Sequence, residues 1–139
     1  MAVHSQEFSY IQPVLDLLES RVHPYAVYLF GSAVRGNLRE DSDIDLAFLT
    51  DEKLSGYEQF RLAQEAAERL NREVDLINLG TIETVFRAQI VATGVLVVNR
   101  DLHRVAEFQI RAFKEYALLN EERALILNRI HDRGSLYDG

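Results

Sequence analysis

The chain has 139 residues, 47% of them apolar and 27% charged, with a net charge of −7 and no cysteine. That is enough apolar material for one core, and the mixture argues against a disordered or fibrous chain. The acidic balance opposes the phosphate attraction on which duplex-binding proteins depend. The missing cysteine excludes disulfides, thiolate metal sites and a cysteine nucleophile. No basic and then apolar leader opens the sequence and no run of about 18 apolar residues occurs, so a cytoplasmic protein is expected.

In chain order, Phe8, Ile11, Val14, Leu15, Leu18 and Val22 recur every three or four residues and predict a helix over 6–22 that stops before Pro24. The apolar run from Tyr25 to Phe30, ended by Gly31, predicts a buried strand. A very short helix over 32–35 would follow, closed by Gly36 and Asn37. From Asp43 to Thr50 strand character returns, with Ile44, Leu46 and Phe48 on one face and Asp43, Asp45 and Ala47 on the other. Residues 57–70 predict an amphipathic helix, 73–79 a third strand, 82–92 a helix and 94–98 a fourth strand suited to a sheet edge. From Asp101 the chain lacks glycine and proline until Gly134, which predicts one long helix, or two broken near Asn120, with Phe108, Phe113 and Tyr116 in the core. This alternation implies an α/β fold, a small mixed sheet packed with helices. The expected organisation is a single domain over 1–139, with catalytic motifs in 25–79 and a helical part over 101–133 sharing its core.

Chemistry concentrates between residues 31 and 75. Glu40, Asp41, Asp43 and Asp45 lie within six residues, and carboxylates this close repel unless a cation or water separates them. Asp43 and Asp45, two apart on a strand, leave the same face about 6.5 to 7 Å apart at the backbone. Their all-oxygen character favours magnesium or manganese over zinc. Asp75 interrupts an apolar strand, where burial without a partner would be costly. If strands 43–50 and 73–79 are neighbours, it completes a cluster able to hold two ions roughly 4 Å apart.

Gly31 permits a sharp turn after a strand, where backbone amides and the Ser32 hydroxyl would suit an anion and Arg35 would add a charge-assisted bond. Gly31 and Gly36 have the glycine spacing of a P-loop, but Asn37 and Leu38 replace its Lys and Ser/Thr, and no GxGxxG occurs. His4, His23, His103 and His131 form no metal-binding pair.

Gly31-Ser32, ten residues, Asp43-Ile44-Asp45 and then Asp75 within Glu73-Val74-Asp75-Leu76 resemble the GS-x10-DxD signature and third acid of the DNA polymerase β-type nucleotidyltransferases. In its short length the chain resembles the minimal nucleotidyltransferase (MNT) antitoxins, MntA type, of HEPN/MNT toxin-antitoxin pairs. The resemblance implies that Asp43 and Asp45 bridge two magnesium ions, that Asp75 binds the catalytic ion and helps deprotonate the acceptor, and that Gly31 and Ser32 hold the phosphates of ATP. Arg35 and Ser42 match the GSxARG and SDIDL contexts, while Ala33 and Val34 depart from the commonest form, which affects secondary nucleotide contacts alone.

By the same resemblance, the reaction is transfer of AMP from ATP to a tyrosine of a cognate HEPN ribonuclease toxin, which silences it. The competing expectations are transfer to a small hydroxylated molecule such as an aminoglycoside, or neutralisation by occlusion without catalysis. The chain is not itself a HEPN ribonuclease, since it lacks the R-x4-6-H motif.

Overall fold

Proline and glycine set the frame of the first half of the chain. The computed structural model describes residues 6–34 and 42–138. The amino-terminal segment expected as one helix divides into a 3-10 stretch, Gln6–Ile11, and helix α1, Gln12–Val22. Pro13 stands at the first turn of α1, where a missing N–H breaks no helical bond, so regular helix begins there. His23 closes α1 in the left-handed conformation, its N–H donating to the Leu18 carbonyl at 3.1 Å.

Strand β1, Ala26–Phe30, follows and leads into a single 3-10 turn at Gly31–Ala33. The remainder of the short helix expected over 32–35 and its close at Gly36 and Asn37, together with Glu40 and Asp41, lie outside the described residues. Strand β2 is Ile44–Leu49, helix α2 Gly56–Leu70, β3 Val74–Asn78, α3 Thr84–Thr93 and β4 Val95–Asn99. Ser55 caps α2, its Oγ accepting from the Glu58 N–H at 3.1 Å.

The four strands form one mixed sheet in the order β3-β2-β1-β4. β1 runs antiparallel to both β2 and β4, whereas β2 and β3 are parallel. A parallel pair needs a crossover, and α2 supplies it. Alternation along the strands sends two apolar sets to opposite faces. Val27, Leu29, Leu46 and Phe48 pack with Leu15 and Leu18 of α1 and Leu62 and Ala66 of α2. Tyr28, Ala47 and Leu49 pack with Ile90 and Val91 of α3 and with Val105 and Ala112. Both sheet faces are thus covered, and β3 and β4 are left as the edges.

The last element is one unbroken helix, α4, Leu102–Asp138, which passes Asn120 without interruption. Asparagine is a mild helix former, and no glycine or proline stands near it to stop propagation. The first part of α4 joins the core. Gln109 Nε2 donates to the Tyr28 hydroxyl at 2.7 Å, and Glu115 pairs with Arg87 at 3.2 Å. Arg104 sits 3.8 Å from the centre of the Tyr25 ring and forms a two-pronged pair with Asp51. The core expectation holds for Phe108, which is partly buried, but not for Phe113 or Tyr116, both exposed, because α4 turns these two outward from the sheet. Among the described residues no helix is long and apolar enough to cross a membrane.

Candidate active site

β1 ends at Phe30, opposite Asp45 in the antiparallel ladder. The chain then reverses through Gly31 at φ +75°, a conformation that costs an L-residue with a Cβ roughly 1 to 2 kcal/mol. A second reason for glycine is steric. A Cβ at Gly31 would stand 2.1 Å from Asp45 Oδ2. The carboxylate therefore lies directly against the turn, and the two halves of the sequence signature touch. Ser32 follows, half-buried, in the 3-10 turn closed by Val34 N–H on the Gly31 carbonyl at 3.2 Å.

The parallel ladder places Asp45 level with Asp75. Paired residues on neighbouring strands share a face and lie about 5 Å apart, so these two carboxylates stand side by side on the face carrying Phe30 and Ile77. The adjacency of β2 and β3 needed to unite the acids is therefore present. Asp43 immediately precedes β2, exposed, and the next residue is tied to β3 by Ile44 N–H donating to the Glu73 carbonyl at 2.9 Å. Ser42, also partly exposed, lies one residue earlier. Arg35 falls outside the described residues.

The acids are not buried. Asp43 and Asp75 are exposed, Asp45 is intermediate, and among the described residues no polar or charged residue is buried. The burial cost expected for Asp75 is absent because β3 is an edge strand open to solvent. Nor, among the described residues, do three Asp, Glu or His side chains draw close enough to cage an ion. This arrangement still fits magnesium. That ion keeps several waters and takes one or two carboxylates plus substrate phosphates in preference to an all-protein cage. The fit rests on an all-oxygen donor set, two carboxylates in register, and Asp45 held against a turn with no side chain in the way.

A cleft of about 650 Å³ opens beside the carboxylates, lined by Asp45 and Asp75, by Phe30 and Phe86, and by Gln59 and Phe60 of α2. Gln59 Nε2 donates to the Leu76 carbonyl at 3.1 Å and so occupies one acceptor on the free edge of β3. The aromatic lining went unread in the sequence. Its signal was Phe60, which is out of phase with Leu62 and Ala66 on the buried face of α2.

A fold of this kind with this constellation has relatives. The model of the polymerase beta nucleotidyltransferase family matches residues 12–103. The chain belongs to that family. Membership makes it an enzyme of the nucleotidyltransferase type and accounts for the mixed sheet. The chain is 32% identical over 104 residues to the protein adenylyltransferase MntA of Shewanella oneidensis, an alignment covering 75% of this chain and 74% of the relative. Among solved structures, one of a toxin-antitoxin with AMP-PNP superimposes with a TM-score of 0.77 at 28% identity, covering 91% of this chain and 98% of the other. Another, from tri-AMPylated Shewanella oneidensis HEPN toxin in complex with MNT antitoxin, gives a TM-score of 0.74 at 26% identity, covering 90% and 98% respectively.

Proposed function

We propose that this chain is an antitoxin acting as a protein adenylyltransferase, which moves AMP from ATP to a tyrosine of a cognate HEPN ribonuclease toxin and thereby silences it. The observation that carries the proposal is the level pairing of Asp45 with Asp75 beside the Gly31 turn. The resemblance to MntA and to the antitoxin-toxin structures supports the choice of donor and partner.

In this reading Gly31 and Ser32 seat the triphosphate, with the Ser32 hydroxyl donating to a phosphate oxygen, and Arg35 and Ser42 contribute secondary contacts to the nucleotide. Asp43, Asp45 and Asp75 would hold magnesium, or manganese, which when bound neutralises charge on the reacting phosphate oxygens. Asp75 accepts the proton of the tyrosine hydroxyl. The phenolic oxygen attacks the α-phosphorus, a new O–P bond forms, and the bond to the bridging oxygen breaks as pyrophosphate departs on the opposite side. Much of the acceleration comes from holding these groups in line, for which a rigid sheet edge is well suited.

The test is incubation of the chain with ATP, magnesium and its cognate HEPN toxin, followed by mass spectrometry of the intact partner. Additions of AMP on a tyrosine are expected. Neutralisation of the toxin with its mass unchanged would favour occlusion and sink the catalytic reading.

A further inference from the structure

We infer that the distal half of α4, residues 118–130, is the docking surface for the toxin and holds it over the sheet edge that carries Asp75. This deepens the proposed function and rests on its choice of partner.

The surface is marked by its pattern. Every seventh residue from Val105 is apolar, giving Val105, Ala112, Leu119 and Ile126. Residues seven apart on a helix lie within about 20° of one another, so these four form one stripe. The first two are buried against the sheet and α3, whereas Leu119 is half-buried and Ile126 is 55% exposed. Leu127 and Ile130 beside the end of the stripe are also more than half exposed. The face that seats α4 on the body therefore runs on past the body, with its apolar side chains in solvent.

The direction of the helix follows from its ties. Gln109 is bonded to Tyr28 of β1, and Glu115 to Arg87, which in turn donates to the carbonyls of Leu79 and Ile82 just beyond β3. From 109 to 115 the helix rises about 9 Å, which matches two strand spacings of about 4.8 Å, from β1 across β2 to β3. α4 thus crosses the sheet toward β3, and its distal half leaves the body on that side. Asp75 lies on the same edge strand, about 13 Å along it from Leu79. It is in phase with Ile77, which packs in the same cluster as Val105 and Ala112, so Asp75 and α4 share a face of the sheet.

The occupant follows from area. Residues 118–130 form a rod about 20 Å long and about 10 Å across, short of the roughly 800 Å² per partner that a specific interface takes. The same rod of a second copy would not make up the difference. A toxin whose tyrosine must reach Asp75 covers the rod and the sheet edge together, and a folded domain of about 100 residues, with a radius of gyration of about 13 Å, spans both. The family model ends at residue 103, in the first turn of α4, whereas the two toxin-antitoxin structures match 90% and 91% of this chain and so extend through most of that helix. α4 is an addition to the common nucleotidyltransferase fold that those structures share.

The test uses the full chain, its HEPN toxin and a double variant carrying Ile126→Asp and Ile130→Asp. The double variant is expected to raise the apparent KM for the toxin about a hundredfold, the effect of losing a central apolar anchor, with AMP-PNP affinity and Tm unchanged. Ile126→Leu, which keeps the apolar contact, is expected to stay near the wild type. An unchanged KM in the double variant would overturn the inference. A loss of AMP-PNP affinity or a fall in Tm would place these residues in the body of the fold and overturn it equally. So would a chain that sediments as a dimer when alone and as a monomer in the double variant with toxin affinity retained, which would assign the surface to a second copy. Toxin binding that the double variant abolishes, in a wild type that transfers no AMP, would support the docking surface while removing the catalytic half of the proposed function.

Discussion

The two halves of α4 share similar apolar spacing and have opposite surroundings. In the first half Val105 and Ala112 are buried against the sheet, and Arg104, Gln109 and Glu115 are each bonded to the body. In the second half Leu118, Leu125, Ile126, Leu127 and Ile130 are all more than half exposed. The difference shows that a helical apolar period reports a helix's capacity to pack, and that what it packs against is set by how far the body extends. A helix of 37 residues is roughly 55 Å long, well beyond the reach of a four-stranded sheet.

The sharpest contrast with the free half of α4 is at the carboxylates. Asp45→Asn is expected to lower AMP transfer at least a thousandfold while leaving Tm nearly unchanged, because it removes charge from a partly exposed group of almost the same shape. Substitutions in 120–132 are expected to leave ATP binding intact. Full residual transfer by Asp45→Asn, measured on intact partner by mass spectrometry, would remove Asp45 from the site.

Stability should divide in the same way. Phe48, fully buried between α1 and α2, is expected to cost about 3 to 5 kcal/mol when replaced by Ala, whereas Ile126→Ala is expected to change stability by less than about 0.5 kcal/mol. Urea denaturation of the isolated chain reads both. A large loss in Ile126→Ala would mean that the distal helix is covered by another copy in solution.

Gly31→Ala joins the two effects. The positive φ and the collision with Asp45 Oδ2 are expected to destabilise the chain by about 1 to 3 kcal/mol. They should also lower transfer about a hundredfold, by displacing the carboxylate.

The smallest effect belongs to the pair that fastens α4. The two-pronged bond from Arg104 holds the Asp51 carboxyl below its ordinary 3.8, and Asp51 correspondingly raises the already high value of Arg104. A depressed carboxylate contributes stability above its unfolded value and loses it as pH falls through the folded one, so any contribution starts to fade below pH 3.8 and is gone once the folded carboxyl is protonated. As a surface pair it is worth little. Arg104→Ala should lower Tm slightly at pH 7, and most of that loss should persist at low pH, because it comes from the Tyr25 ring that Arg104 covers and neither group changes charge in that range.

The elements were largely legible because each is bounded by a strong local signal. Pro24 and Gly31 bracket β1, and the alternation in 43–50 set the faces of β2 correctly. The union of Asp45 with Asp75 followed from the apolar run around Asp75 and required only that β2 and β3 be neighbours, which the α2 crossover provides. What was not legible depends on distances between segments. Nothing local reveals that Asp45 lies against Gly31, that β3 leaves Asp75 exposed, or that Phe113 and Tyr116 face away from the core. The start of regular helix at Pro13 and the Ser55 cap were readable locally and were obscured by the stronger apolar period around them.

The position of α2 beside the edge of β3 has a consequence for which parts of the fold are free to vary. The groups proposed for phosphoryl chemistry stand on strands locked into a four-strand ladder, whereas Gln59 and Phe60 project from a connecting helix. The exposed positions of α2 can therefore change while the ladder that sets Asp45 level with Asp75 stays fixed. Variation is thus cheapest on the helix that bridges the strands and costliest on the strands it bridges.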